Sequence, residues 1–175
     1  MRYIALLRGI NLGGNVMIKM DVLKSEFENL GFKNVTSYIN SGNLAFETRS
    51  ASEQKLCSKI EAAVADLTGR DVDVMVREQK DIDRIIESNP FEGQYESHKE
   101  MHVLFLKEPM PGAKSELLTE SALDGEKYEI KDREIYCLLP NGVANSLLTK
   151  GFFEKKPRVS YTGRNWRTVE KLAAL

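Results

Sequence analysis

The chain has 175 residues, with 25 basic and 26 acidic side chains and a formal net charge of -1. That balance argues against non-specific DNA binding, which draws its affinity from a basic surface releasing counterions. At 42% hydrophobic and 29% charged residues the composition is that of a globular protein, and a chain this long buries about two thirds of its unfolded surface without staples.

The two cysteines, Cys57 and Cys137, sit among apolar residues and read as buried free thiols. No apolar run approaches the ~18 residues of a membrane span. The opening MRYIALLRG has too short an apolar core for a signal peptide. The expectation is a cytoplasmic protein with no membrane partner.

Tyr3 to Leu7 is a short apolar run fit for a buried strand. Asn11 to Asn15, with two adjacent glycines, reads as a loop. Leu23, Phe27 and Leu30 recur at helical spacing, and Gly31 is a helix stop. Val35 to Ile39 and Leu44 to Glu47 read as strands around the hairpin turn Asn40-Ser41-Gly42-Asn43. Ser50 with Glu53 fits a capping box. Leu56, Ile60, Val64 and Leu67 then form the stripe of a helix that ends at Gly69. Val72, Val74 and Val76 alternate as a half-buried strand. The order strand-helix-strand-strand-helix-strand is the ferredoxin-like βαββαβ unit.

Ile82, Ile85 and Ile86 mark a third helix, ended near Asn89 by Pro90. Residues 90–100 are polar and loop-like. The pattern then restarts. Met101 to Leu106 is a strand, and Pro109-Met110-Pro111-Gly112 is a breaker. Leu117, Leu118 and Ala122 indicate a helix. Tyr128 to Ile130 and Ile135 to Leu139 form a hairpin around Lys131-Asp132-Arg133. A helix is expected through Leu147, Leu148, Phe152 and Phe153, a last strand at Val159 to Tyr161, and a terminal helix from Asn165 to Leu175. The expected fold class is α+β, an α/β sandwich. Residues 1–77 make a ferredoxin-like half, 78–100 a connecting helix and loop, and 101–175 a degenerate second ferredoxin-like half with a C-terminal helix. The alternative is one compact unit.

ALLRGINLGGN (Ala5 to Asn15), Ile18-Lys19-Met20, LGF (Leu30 to Phe32), YINSGNLAF (Tyr38 to Phe46), Asn89-Pro90-Phe91, His102-Val103 and the run from Thr162 to Val169 together resemble one bacterial family. It is the "domain of unknown function" family numbered sixteen ninety-seven. The resemblance covers nearly the whole chain. Leu12 and Asn40 are mild departures, since the family more often has Val and Gln there. The resemblance implies a bacterial cytosolic protein built of α/β halves, and it implies no activity.

In the ferredoxin-like arrangement the first two strands run parallel, with the third antiparallel between them. The loop after the first strand and the hairpin after the second then share one end of the sheet. This gathers Arg8, Asn11, Asn15 and Lys19 near Asn40, Ser41 and Asn43. Arg8 offers a planar fork for carboxylate or phosphate, and Lys19 adds a point charge. Gly13 and Gly14 open the backbone close to a helix N-terminus, where anions are favoured. Neither G-x-x-x-x-G-K-[ST] nor G-x-G-x-x-G is present, so no cofactor is implied. The bland reading is that Asn, Ser and Gly serve the turns and that Arg8 pairs with an acid such as Asp21.

A second candidate lies at the terminal helix, where Thr162 or Asn165 serves as cap and Arg164 and Arg167 flank Trp166. Arginines there oppose the helix dipole, which points to an anion. The alternative is Trp166 as a packed anchor with solvated arginines. His98 and His102 are four apart, but His102 falls in a strand, so no metal site is expected. RNA binding is disfavoured because Phe46 alone represents the aromatics of an RNA-binding sheet. Three classes remain. One is a protein binding a small anionic or phosphate-bearing ligand. The second is an enzyme acting on such a substrate at the same place. The third is an interaction or oligomerising module.

Overall fold

The computed structural model describes residues 1–13 and 16–175. They form an α+β sandwich in two compact units: Met1–Arg84 with Lys171–Leu175, and Ile85–Glu170.

In the first unit the chain runs β1 (Arg2–Leu7), α1 (Met20–Asn29), β2 (Lys33–Tyr38), β3 (Asn43–Glu47), α2 (Glu53–Thr68), β4 (Val74–Glu78) and the start of α3 (Gln79–Glu87). The sheet order is β2-β3-β1-β4, with every pair antiparallel. Central β1 is fully buried from Tyr3 to Leu7, which is why it reads as an unbroken apolar run. Tyr3, Ala5 and Leu7 share a core with Leu44 and Phe46 of β3, Val74 and Val76 of β4, Leu23 and Phe27 of α1, and Leu56, Ile60 and Val64 of α2. Phe46 is its hub, with ring centroids 4.3 Å from Phe32, 5.5 Å from Phe27 and 5.8 Å from Tyr3. β4 is buried on both faces over Val74 to Arg77, where alternation predicts a half-buried strand.

The helix stops act as expected: Gly31 and Gly69 both take positive φ. The cap of α2 does not. Ser52, not Ser50, accepts the Lys55 N–H at 3.3 Å. Glu53 accepts the Glu78 N–H instead of completing a capping box, so its carboxylate ties α2 to β4. The last residues join this unit through carbonyls: Gln79 Nε2 donates to Leu172 and Ala173, and Arg2 and Thr36 donate to Leu175.

The second unit runs β5 (Met101–Leu106), α4 (Gly112–Glu120), β6 (Lys127–Lys131), β7 (Glu134–Leu138), two 3₁₀ turns, β8 (Tyr161–Asn165) and most of α5 (Trp166–Ala173). Its sheet order, β6-β7-β5-β8, repeats the first unit's topology. The helix expected over residues 147–153 is absent. Val143–Asn145 and Leu147–Thr149 are short 3₁₀ turns, the second capped by Ser146, whose hydroxyl accepts the Leu148 N–H. Gly142 and Gly151 take positive φ, and Gly151 falls inside the expected helix, where that backbone geometry breaks it. Leu147, Leu148, Phe152 and Phe153 still fill the core with Leu118, Ile135 and Cys137.

The last strand starts later than expected. The Val159 N–H bonds the Phe153 carbonyl, and pairing with β5 begins at Tyr161 opposite Leu106. The ammonium of Lys114 holds this approach by donating to the carbonyls of Lys155 and Pro157 at 2.6 and 2.8 Å. Cys57 and Cys137 are both buried, and no disulfide joins them. No helix among the described residues is long and apolar enough to cross a membrane.

Trp166 is buried, with its ring edge-on to Tyr95 at 6.5 Å. Trp166→Ala is expected to lower stability by about 3–5 kcal/mol in urea unfolding. A loss below ~1 kcal/mol would show that it is not a packed anchor.

Candidate functional site

The C-terminal end of β1 and the β2–β3 turn meet as the topology requires. The Leu7 N–H donates to the Gly42 carbonyl at 2.9 Å, and Ile10 forms a bridge to Val16. Gly42 has φ +79°, and a Cβ there would lie 2.9 Å from both Leu7 Cβ and Ile10 Cγ1. Only glycine lets the turn sit this close to the end of β1.

Asn11 then fastens the loop. It adopts φ 55°, a left-handed geometry that Asn tolerates. Its Nδ2 donates to the carbonyls of Ile18 at 2.9 Å and Asn40 at 2.7 Å, and its Oδ1 accepts the Ile18 N–H at 2.8 Å. The whole carboxamide is thus engaged, and Asn11 shapes the end of the sheet. Asn43 is a scaffold too. It is fully buried, and its Nδ2 donates to the Tyr38 carbonyl at 3.1 Å and to Ser41 Oγ at 3.0 Å.

Arg8 is half-buried and pairs with Asp73 at 3.8 Å, reinforced by its backbone N–H to the Asp73 carbonyl at 2.9 Å. The acid anticipated from sequence, Asp21, is engaged elsewhere, 2.9 Å from Lys24. The Lys24 hydrogen bond holds the Asp21 carboxyl below its usual range. β4 carries Asp73 to the end of β1 because Val74 pairs with Leu7. This register, invisible in local spacing, decides which acid Arg8 meets.

Lys19 is exposed at the N-cap of α1, where its own side chain makes no capping hydrogen bond. It lines an open groove of about 780 Å³ with Asn11, Met17, Ile18, Met20, Asp21 and Asn40. A smaller groove of about 420 Å³ continues over Met17, Ile18 and Lys19 to Val22, Leu67, Thr68 and Arg70. Residues Met17, Val22, Leu67 and Arg70 were not singled out for the site from sequence. The fall of Leu67 on the helical stripe disguised it as core, and its partial exposure shows otherwise. Asn15 lies outside the described residues.

The three C-terminal candidates belong to the second unit. Arg164 lies within β8, opposite Val103, and not at the mouth of a helix. It is buried, and Nη1 donates to Thr162 Oγ1 at 2.7 Å and to the Gly163 carbonyl at 2.8 Å. Burial pushes its pKa down to about 10. Asn165 caps α5, accepting the Thr168 N–H at 3.0 Å. Arg167 is exposed on α5. Among the described residues no group of three or more His, Cys, Asp or Glu side chains is arranged to hold a metal ion.

These features define a two-unit α+β protein with an open, mixed apolar and cationic groove at one end of its first sheet. The chain belongs to the family described as "Protein of unknown function (DUF1697)", whose model matches residues 1–136. It is similar to a solved structure of the conserved bacterial protein SP0830 from Streptococcus pneumoniae, at 27% identity and a TM-score of 0.78, over 99% of this chain and 97% of that one. No curated protein matches it.

Two outcomes follow from this geometry. Gly42→Ala adds both the φ penalty and the 2.9 Å contacts, so it should cost about 2–4 kcal/mol. A urea midpoint within error of the parent would refute the close approach. His102 has its pKa pushed down to about 4 by burial, with His98 adding to the shift. Below a pH of about 6.5 the unfolded chain takes up a proton that the folded chain refuses. Stability should therefore fall by about 1–2 kcal/mol between about pH 7 and about pH 5 through this group. His102→Leu should lose that part of the acid-side decline, and an unchanged profile would contradict it.

Proposed function

We propose that the protein binds a small anionic or phosphate-bearing ligand in the groove beside the start of α1. The observation that carries this reading is Lys19, an exposed cation without an ion-pair partner among the described residues, standing at the N-cap of α1 without using its own side chain to cap the first turn. Free N–H groups of a first turn favour negative charge. Asp21 is the opposing charge in the groove, and Lys24 offsets it.

Within this reading the sequence candidates divide by role. Lys19 contacts the ligand and Asn40 lines its site, while Asn11, Ser41 and Asn43 build the frame and Arg8 braces β1 against Asp73. Binding fits this chemistry better than turnover, because the groove's carboxylate is already committed to Lys24. We further take the chain to be a bacterial, cytoplasmic protein whose units are both ferredoxin-like. The family match and the similarity to a conserved bacterial protein support that view.

A thermal-shift panel of inorganic phosphate, nucleotides, sugar phosphates and small carboxylates tests the proposal. A ligand at ~100 times its Kd adds ~2.7 kcal/mol, a rise of several degrees in a chain of this size. Lys19→Ala should cut that rise by about a third or more, with little change in the unliganded Tm. A rise left undiminished by Lys19→Ala would move the site elsewhere, and a flat panel would refute anion binding.

A further inference from the structure

The end of the first sheet that carries Lys19 is also unusually apolar. Leu12, Met17, Val22, Ile39 and Leu67 are all exposed there, from 40% at Leu67 to 67% at Met17. They come from the β1–α1 loop, α1, the β2–β3 turn and the last turn of α2. These elements converge because β1 and α2 both finish at this end, and Asn11 ties the loop to the turn. Scattered exposed apolar residues are ordinary, but Met17, Val22 and Leu67 line the smaller groove together, and apolar residues gathered along a groove mark a contact surface.

Two cations border the same surface. Lys19 lines both grooves, and Arg70 lines the smaller one beside Val22 and Leu67. Neither has an ion-pair partner among the described residues, and both are exposed. An apolar floor with unmatched positive charge at its rim is complementary to a molecule with an apolar body and an anionic head.

We infer that the ligand is an anionic amphiphile, taken up as a free monomer with a carboxylate or phosphate head and an aliphatic body. The inference rests on the anion-binding reading above and specifies its ligand class. The head is held by Lys19 and Arg70, and the body lies along Met17, Val22 and Leu67. A hydrated phosphate would leave those three side chains in water. Binding of an alkyl chain removes apolar surface from water, and the gain grows with each methylene covered.

Titration calorimetry of the full chain with inorganic phosphate and with butyl, hexyl and octyl phosphate, all below their micelle concentrations, tests the inference. Each added methylene is expected to tighten Kd by about two- to four-fold. Met17→Ser with Leu67→Ser should flatten that dependence, so that octyl phosphate binds the variant no more tightly than inorganic phosphate does. Lys19→Ala and Arg70→Ala should each weaken octyl phosphate by about five-fold or more. Equal affinity for phosphate and octyl phosphate would overturn the amphiphile while leaving the anion site standing. Binding to phosphatidylglycerol vesicles without binding of the monomers would overturn it in favour of a membrane surface. Absence of binding by every probe would overturn both readings. Circular dichroism of each variant separates lost binding from lost fold.

Discussion

Antiparallel pairing of β3 with both β1 and β2 is the constraint from which the rest of the first unit follows. It makes β1 and β2 parallel across β3, so the exit from β1 and the β2–β3 turn must share an end. Gly42 lets the turn close on Leu7 and Ile10, and Asn11 spends its whole carboxamide joining the two segments. A groove with Lys19 on its wall is the by-product of that closure. The division of labour is physical: Asn11 and Asn43 spend their carboxamides on the frame, and Lys19 faces solvent.

The second unit shows what the same topology does without the same devices. Its strand order matches, yet the position of α2 is filled by 3₁₀ turns between two positive-φ glycines. Packing survives because Leu147, Leu148, Phe152 and Phe153 still reach the core. A buried ammonium, that of Lys114, fastens the following segment by its carbonyls. Hydrophobic burial and backbone satisfaction are therefore separable here: these apolar side chains fill the core without an α-helix to carry them.

Much of the fold was legible because it depends on short-range signals. The apolar runs of β1 and β5, the helix stops at Gly31 and Gly69, and the two hairpins are set by burial, positive φ and turn chemistry within a few residues. The misread elements depend on distant partners. Ser52 rather than Ser50 caps α2, and Glu53 accepts the backbone N–H of Glu78, a partner distant in sequence. Val159 looks like a strand residue but bonds Phe153. At the site, the convergence of Asn11, Lys19 and Asn40 followed from topology alone. The roles within it did not: Arg8 meets Asp73 through the β1–β4 register, and Arg164 is buried in β8. Leu67 sat on an apolar stripe whose last turn overhangs the core.

The most direct test of the anion groove is an amide-resolved NMR titration of the labelled chain with inorganic phosphate. Progressive, saturable shifts should concentrate at residues 16–22, 39–41 and 67–70, with Asn43, Arg164 and Arg167 unmoved. Shifts centred on Arg164 and Arg167, or none up to concentrations where ionic strength alone moves the spectrum, would contradict the account.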